Sequence, residues 1–498
     1  MPPFLGRALE VTGAAARGFL SRPAWIAGRR SQISSAASPP EAQSCEAFLS
    51  QLEAARPEID LGLDKSRELL ARVGDPHKHL RVVHVAGTNG KGSVCAMVAA
   101  VLRAAGKRVG VYNSPHLFHW SEAVLVDGAS DVLSWRASVR AVQRVLVNGG
   151  QATGAYTAFE VTCAAMWLQL ATAKVDYAVI EAGVGGSRDA TNVCDSVCAA
   201  AITSVGLDHQ DLLGGTIPEI AHDKAGIFKK GCPAVVSSRL PQEALNVAQT
   251  MAAQVGCDLI TAPPAVRLPG GEEAVIGCSR TRLQWPGHER RERIGKSGVE
   301  GALNFELGLL GDVQLANAGV ALGVLRELQR RDQTISDEHI RQGLATARWP
   351  GRLEWARWQE TEILLDGAHN TEAAVALAAF LDPLRATSQT SGVHWIVGMS
   401  GSKDVEGIIS ALVRPGDVVE CVLIRSLPRR HQPAPTSRIR LAVEAAGGRS
   451  SEAPDLEHAL MRACAPAGAG ARLPVLCGSL HLVADFRQLL APVGTTGV

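Results

Sequence analysis

Val82-Val-His-Val-Ala-Gly-Thr-Asn-Gly-Lys-Gly-Ser93 joins a short apolar run to a glycine-rich loop, and an Ala-rich helical pattern follows it. The stretch reads as a phosphate cradle. Glycines at 87, 90 and 92 let backbone N–H groups close on phosphate oxygens, and the helix N-terminus adds partial positive charge. Lys91 reaches the terminal phosphates and the Ser93 hydroxyl ligates magnesium. Gly87, Thr88, Asn89, Gly90, Lys91, Gly92 and Ser93 are therefore the first candidates for contact with ATP. A glycine separates Lys91 from Ser93, whereas the standard phosphate loop has its lysine and hydroxyl residue adjacent.

Outward from this loop the pattern alternates. Upstream, 45–73 reads as amphipathic helix interrupted by Pro57. Downstream, helix 93–105 leads to strand 108–112 and the loop Asn113-Ser-Pro-His116, completing a βαβ unit, which implies a parallel sheet. Helices are expected at 132–147 and 158–172. Buried strands are expected at 177–180, delivering Glu181, and at 199–204, delivering Asp208-His209. In a doubly wound sheet the carboxyl ends of such strands share one edge, which brings Lys91, Ser114, Glu181 and His209 together. Helix 217–224, strand 234–237 and helix 242–255 continue the alternation. Residues 262–301 read as short antiparallel strands with an exposed charged loop at His288-Glu-Arg-Arg-Glu-Arg, and 314–331 as a clear helix. Beyond Trp349-Pro-Gly the alternation restarts: strands at 362–365, 393–397, 418–424 and 473–476, with helices at 371–381, 405–412, 438–446 and 456–463. The expected fold is α/β: a P-loop-type doubly wound parallel-sheet ATPase domain over 41–345, then a smaller Rossmann-like α/β domain over 346–498.

The 498 residues suffice for these domains, and 46% hydrophobic with 20% charged residues is the balance of a soluble globular protein. The net charge of +1 conceals an asymmetry. The first 40 residues hold Arg7, Arg17, Arg22, Arg29 and Arg30 against Glu10, and they are rich in Ala and Ser. That is the composition of an organelle transit peptide, pointing to the mitochondrial matrix, with plastid stroma or cytoplasm as alternatives. No apolar run is long enough to span a bilayer. The charged run at 288–293 reads as a solvated face and the 4% aromatic content argues against a base-stacking platform, so no nucleic-acid partner is expected. Eleven cysteines without a C-x-x-C pair make a disulfide scaffold or zinc site unexpected.

The displaced hydroxyl of Lys91-Gly92-Ser93 resembles the Mur ligase superfamily of ATP-dependent amide-forming ligases. Further stretches resemble one branch of it, the folylpolyglutamate and dihydrofolate synthases: Leu61-Gly-Leu, Ser114-Pro-His-Leu117, Phe159-Glu160, Glu181-Ala-Gly-Val-Gly-Gly-Ser-Arg-Asp-Ala-Thr-Asn192, Asp208-His209, Asp223-Lys-Ala-Gly-Ile227, Trp349-Pro-Gly-Arg352, Asp366-Gly-Ala-His-Asn370 and Gly478-Ser-Leu-His-Leu482. They fall in the family's order.

The resemblance implies a reaction in which ATP phosphorylates a pterin-linked carboxylate, of dihydropteroate or a reduced folate, and L-glutamate displaces the phosphate to form an amide. It implies Ser93 at the nucleotide's metal and Ser114, Glu181 and His209 at a second, magnesium or manganese. It implies nucleotide contacts at Asn317, Arg352 and Asp366, a Lys224 at the position that can be carbamylated, and His369 beside the reaction centre. It also implies a monomer whose cleft closes on its substrates, the smaller domain serving as the glutamate ligase domain. Without the resemblance, Glu181 reads as a strand-end surface acid, His209 as a satisfied loop histidine and Lys224 as an exposed helix-end lysine. Asp223-Lys-Ala-Gly-Ile227 favours dihydrofolate synthase, with folylpolyglutamate synthesis alongside. Two positions depart from the pattern: Ala123 stands where the family has arginine, and Met399-Ser-Gly-Ser-Lys-Asp404 keeps only the Lys-Asp pair. Another Mur-type amide ligase, or a non-catalytic nucleotide-binding relative, is the competing reading.

Overall fold

The computed structural model describes residues 44–55, 61–114, 119–149, 155–268, 281–286, 289–291, 297–299, 302–386, 392–427, 432–465 and 472–490. The transit-type segment 1–40, residues 115–118 of the Ser-Pro-His-Leu loop and part of the 288–293 charged run lie outside the described residues.

Six parallel strands form the centre of a ten-stranded sheet, in the order Leu259–Ala262, Ala234–Ser237, Val197–Ile202, Val82–Ala86, Tyr177–Glu181, Val109–Tyr112. Strands Val124–Val126 and Ala129–Ser130 extend one edge antiparallel, and Glu289–Arg291 with Ser297–Val299 extends the other. Val82–Ala86 and Tyr177–Glu181 are buried throughout. Their mostly apolar composition follows from having both sheet faces covered, with His84 and Glu181 as the buried polar exceptions. Successive side chains alternate between faces, so Val82 and Ala86 enter one core while Val83 and Val85 enter the other. The first core is closed by helices Ala158–Thr172, Ile217–Ala225 and Gln242–Val255, the second by Lys91–Ala104 and Val313–Arg331. Helices Ala158–Thr172 and Ile217–Ala225 begin with capping boxes, Thr157 with Glu160 and Thr216 with Glu219. Thr281–Trp285 pairs antiparallel with Leu303–Leu307 and Val266–Arg267, as the sequence suggests for that segment.

A second sheet of six strands follows, in the order Glu354–Trp358, Thr361–Leu365, Leu473–Cys477, Val393–Val397, Val418–Cys421, Arg449–Glu452. All neighbours are parallel except the first pair. Among the described residues no disulfide is present, and no helix is long and apolar enough to cross a membrane.

Several elements differ from the sequence reading, and strand Val418–Cys421 ends three residues before the expected 424. The helix expected to stop at Leu381 continues to Ala386 through Pro383, because Arg385 is anchored on Asp417 at 2.9 Å and on the Leu412 carbonyl at 3.2 Å, which holds the last turn. Strand Glu354–Trp358 was not expected, because most of its residues are half-buried and it shows no polar/apolar alternation. Its register against Thr361–Leu365, with Trp355 opposite Leu364, defines it. Helix Leu480–Leu490 continues past the last expected strand.

Candidate active site

Strand Val82–Ala86 lies where the order of the large sheet switches direction, between Tyr177–Glu181 and Val197–Ile202. Ligands of doubly wound sheets sit at such a crevice. The phosphate loop leaves this strand with Gly87 and Gly90 at positive φ, 153° and 86°. At Gly90 only glycine enters this region without strain, and the residue opens helix Lys91–Ala104. Gly92 answers a different constraint, since a Cβ there would stand 2.6 Å from the Trp349 ring.

Lys91 folds over its own loop, its Nζ donating to the carbonyls of Gly87 at 3.0 Å and Thr88 at 3.2 Å, and stands 3.9 Å from Glu181. Glu181 ends its strand buried, not as a surface acid. Desolvation pushes its carboxyl up to about 7, with Lys91 and Arg352 pulling the other way. The Ser114 hydroxyl is buried beside it, without a hydrogen-bond partner among the described residues. His209 opens the short helix Gln210–Leu213 in a left-handed conformation at the exposed rim. Lys224 is only 3% exposed, so the exposed-lysine reading is corrected. Burial, then the charge of Lys91, lowers its amine to about 7. Its neighbour Asp223 braces the glycine loop after Glu181, accepting from the Gly186 N–H at 2.8 Å and the Ser187 hydroxyl at 2.7 Å.

From the smaller domain come Arg352, His369 and Leu480. His369 Nδ1 lies 2.8 Å from the Gly367 carbonyl. A carbonyl only accepts, so Nδ1 carries the proton and Nε2 is left as the acceptor. Burial and then Arg352 hold this imidazole down to about 4, hence neutral at pH 7.

One cleft of about 810 Å³ between the domains is lined by Gly87 through Ser93, Ser114, Glu181, His209, Lys224, Arg352 and His369. Asn317 and Asp366 do not line it. Asn317 lies behind the phosphate loop against Gly90 and donates to Gln314 at 2.9 Å, while Gln314 donates to Ser93 Oγ at 3.3 Å. Asp366 turns its carboxylate to the N–H groups of Leu353 and Ala368, at 2.9 and 2.8 Å. The cleft is also lined by Asp208, Trp349 and Gly183 to Gly185, to which sequence reasoning gave no role. Asp208, 3.6 Å from Lys403, stood in the sequence only as the neighbour of His209 in the Asp208-His209 stretch, without a role of its own, and Gln314 only one helical turn before Asn317. A second cleft between the domains, lined by Arg267, Asp312, Val313, Ala376, Ala379, Phe380 and Pro383, carries no such group of catalytic side chains.

Comparison with known proteins accords with this arrangement. The Mur ligase middle domain matches residues 85–325, and the C-terminal domain of dihydrofolate synthetase matches 352–489. Fold and site together define a ligase of the Mur type. A probable dihydrofolate synthetase of Schizosaccharomyces pombe is 33% identical over 72% of this chain and 81% of its own length. A probable bifunctional folylpolyglutamate synthase/dihydropteroate synthase of Haloferax volcanii is 35% identical over 73% of this chain, which spans 41% of that longer protein. The crystal structure of bifunctional folylpolyglutamate synthase/dihydrofolate synthase from Yersinia pestis, complexed with AMPPNP and Mn ion, is 31% identical. It covers 91% of this chain and 100% of its own, with a TM-score of 0.69. The chain belongs to the folylpolyglutamate synthase and dihydrofolate synthase family.

Proposed function

We propose that the protein joins L-glutamate to a pterin-linked carboxylate at the expense of ATP, through an acyl phosphate. The observation that carries this is the convergence of Lys91, Glu181, Lys224, Arg352 and His369, from both domains, on one cleft at the end of the phosphate loop. A carboxylate is a poor electrophile until one oxygen becomes part of a phosphate leaving group, and that transfer needs fixed cations with water held away. Lys91, held in place by two carbonyls, and the planar fork of Arg352 offer that charge. His369, neutral and with Nε2 bare, accepts a hydrogen bond from the incoming glutamate amine.

The donor set fits a divalent cation. The Ser114 hydroxyl, without a partner among the described residues, and the buried Glu181 carboxylate are hard oxygen donors facing one cleft, with His209 at its rim. No three His, Cys, Asp or Glu side chains form a ready-made metal cluster among the described residues. Such a site suits magnesium, or manganese, which completes its shell with water and phosphate oxygens. Ser93 would serve the nucleotide-bound ion and Ser114, Glu181 and His209 the second. When bound, these ions screen the phosphate charge. Lys224 can become a carbamate: its neutral amine adds to the carbon of CO2, forming the N–C bond as one C=O π pair moves to oxygen and one N–H proton is released, which turns a neutral amine into an anion beside Lys91.

The Asp223-Lys-Ala-Gly-Ile227 stretch favours dihydropteroate as acceptor, with reduced folates also extended. The composition of the first 40 residues supports a mitochondrial location, and we expect a monomer. The test is turnover of purified protein with ATP, magnesium and labelled glutamate, offered dihydropteroate, tetrahydrofolate or a muramyl peptide. ADP release with amide formation on a pterin acceptor is expected. Turnover with the muramyl peptide alone, or with none of the three, would overturn the reading. Lys91→Ala is expected to lower kcat about 10²- to 10³-fold, the effect of deleting one transition-state charge contact.

A further inference from the structure

Asn89 of the phosphate loop is gripped from two sides. Its backbone is fastened to the end of strand Val197–Ile202: its N–H donates to Ser204 Oγ at 2.9 Å, and its carbonyl accepts from Thr203 Oγ1 at 2.6 Å. Its side chain is fastened to the other domain. Asn89 Nδ2 donates to Glu372 Oε2 at 2.8 Å, and Asn89 Oδ1 accepts from Asn370 Nδ2 at 3.2 Å. Asn370 is committed at its other end, where Oδ1 accepts from the Ala373 N–H at 2.9 Å in the first turn of helix Thr371–Ala386. The same Glu372 carboxylate lies over Gly206, where a Cβ would come within 2.9 Å of Oε2, and Gly206 is held in turn by the Thr88 hydroxyl. Glu372 thus touches the phosphate loop and the segment leading to Asp208 and His209, three residues after His369 on its own chain.

We propose that Glu372 is a positioning residue for the ligase step: through Asn89 it seats the smaller domain, and with it His369, on the phosphate loop. An acid in the first helical turn otherwise only complements the helix dipole. Such an acid would have no reason to bond a residue 283 positions away in the other domain. The seat needs an acceptor oxygen, not a negative charge, so a glutamine preserves it and an alanine removes it.

The experiment compares wild type with Glu372→Ala and Glu372→Gln in the full chain. Glu372→Ala is expected to lower kcat about tenfold, the value of one hydrogen bond lost in the transition state, with KM for ATP unchanged. It should also speed amide hydrogen exchange at 87–93, across the cleft in the other domain, measured with AMPPNP and magnesium. Glu372→Gln restores both readouts, and adding Glu372→Ala to Asn89→Ala produces no further loss. Wild-type exchange at 87–93 in Glu372→Ala, or a Glu372→Gln variant as impaired as the alanine, would overturn the proposal. Only the kinetic readout rests on the proposed function. A chain with no turnover on any acceptor defeats that reading, while the exchange at 87–93 still decides the role of Glu372.

Discussion

Lys224 places an amine where an ammonium is costly, and the cost has a sign that can be measured. Its folded pKa of about 7 lies below the 10.5 of the unfolded chain, mainly through burial. The folded state therefore carries the full penalty of a buried charge below pH 7 and sheds it as pH rises toward 10.5, a window in which the unfolded chain still holds the proton. In CO2-depleted buffer, Lys224→Met is expected to raise Tm by several degrees at pH 7, on the order of 1 to 4 kcal/mol, with the gain shrinking toward pH 10. The same variant loses ligase activity. A thermal melt series across pH checks the first part, and a Tm gain independent of pH would contradict it. None of this is visible in the sequence, where Asp223-Lys-Ala-Gly sits at a helix end close to Lys229 and Lys230 and reads as solvated. Helix Ile217–Ala225 turns that side chain into the cleft, and only tertiary packing decides it.

Strand Val82–Ala86 is tied to the loop after Glu181 by a buried polar relay as well as by the sheet ladder. Asp189 accepts from the Val184 N–H at 2.9 Å and from the Thr191 hydroxyl at 2.5 Å, which leaves Thr191 Oγ1 to accept from His84 Nε2 at 2.9 Å. His84 is 1% exposed and burial holds its imidazole down to about 3. Because the unfolded chain takes up the proton first, stability is lost as pH falls below about 6.5, at up to about 1.4 kcal/mol per pH unit from this group. Urea unfolding at pH 7 and pH 5 should show that loss, and His84→Gln should flatten it; an unchanged slope would show that other groups carry the acid sensitivity. The strand itself was legible, as were its neighbours, because fully buried parallel strands are short, mainly apolar runs ended by polar, glycine-containing loops. Glu354–Trp358 was not, since an antiparallel edge strand takes its identity from its partner. The loop residues Ser114, Glu181 and His209 were placed together by topology alone, because consecutive strand ends share one edge of the sheet. Asn317 and Asp366 came from resemblance, and the structure sets both behind the cleft wall, where their amide and carboxylate support the loops in front.

The large and small domains have separate cores, the first pair of clusters built on the ten-stranded sheet and the second on the six-stranded one. Each buries enough apolar surface to melt as a unit, and direct polar contacts between them run through Asn89 with Asn370 and Glu372, and through Asp208 with Lys403. Without ligand, calorimetry is expected to resolve two transitions, since a few half-buried and exposed polar contacts add little coupling. On the proposed site, a nucleotide held between Lys91 on one side and Arg352 on the other would be lost when either domain unfolds, and so would stabilise both by RT ln(1 + [L]/Kd). At AMPPNP a hundredfold above its Kd, with magnesium, both transitions should therefore move up together, each by about 2.7 kcal/mol of added stability. If the nucleotide draws its affinity from the phosphate loop alone, only the large-domain transition moves. The small domain would then contribute to catalysis without contributing to ATP affinity, and Arg352→Ala would leave the AMPPNP affinity intact. Two transitions that rise in parallel, with Arg352→Ala cancelling the rise of the small domain, would place the binding energy on both sides of the cleft.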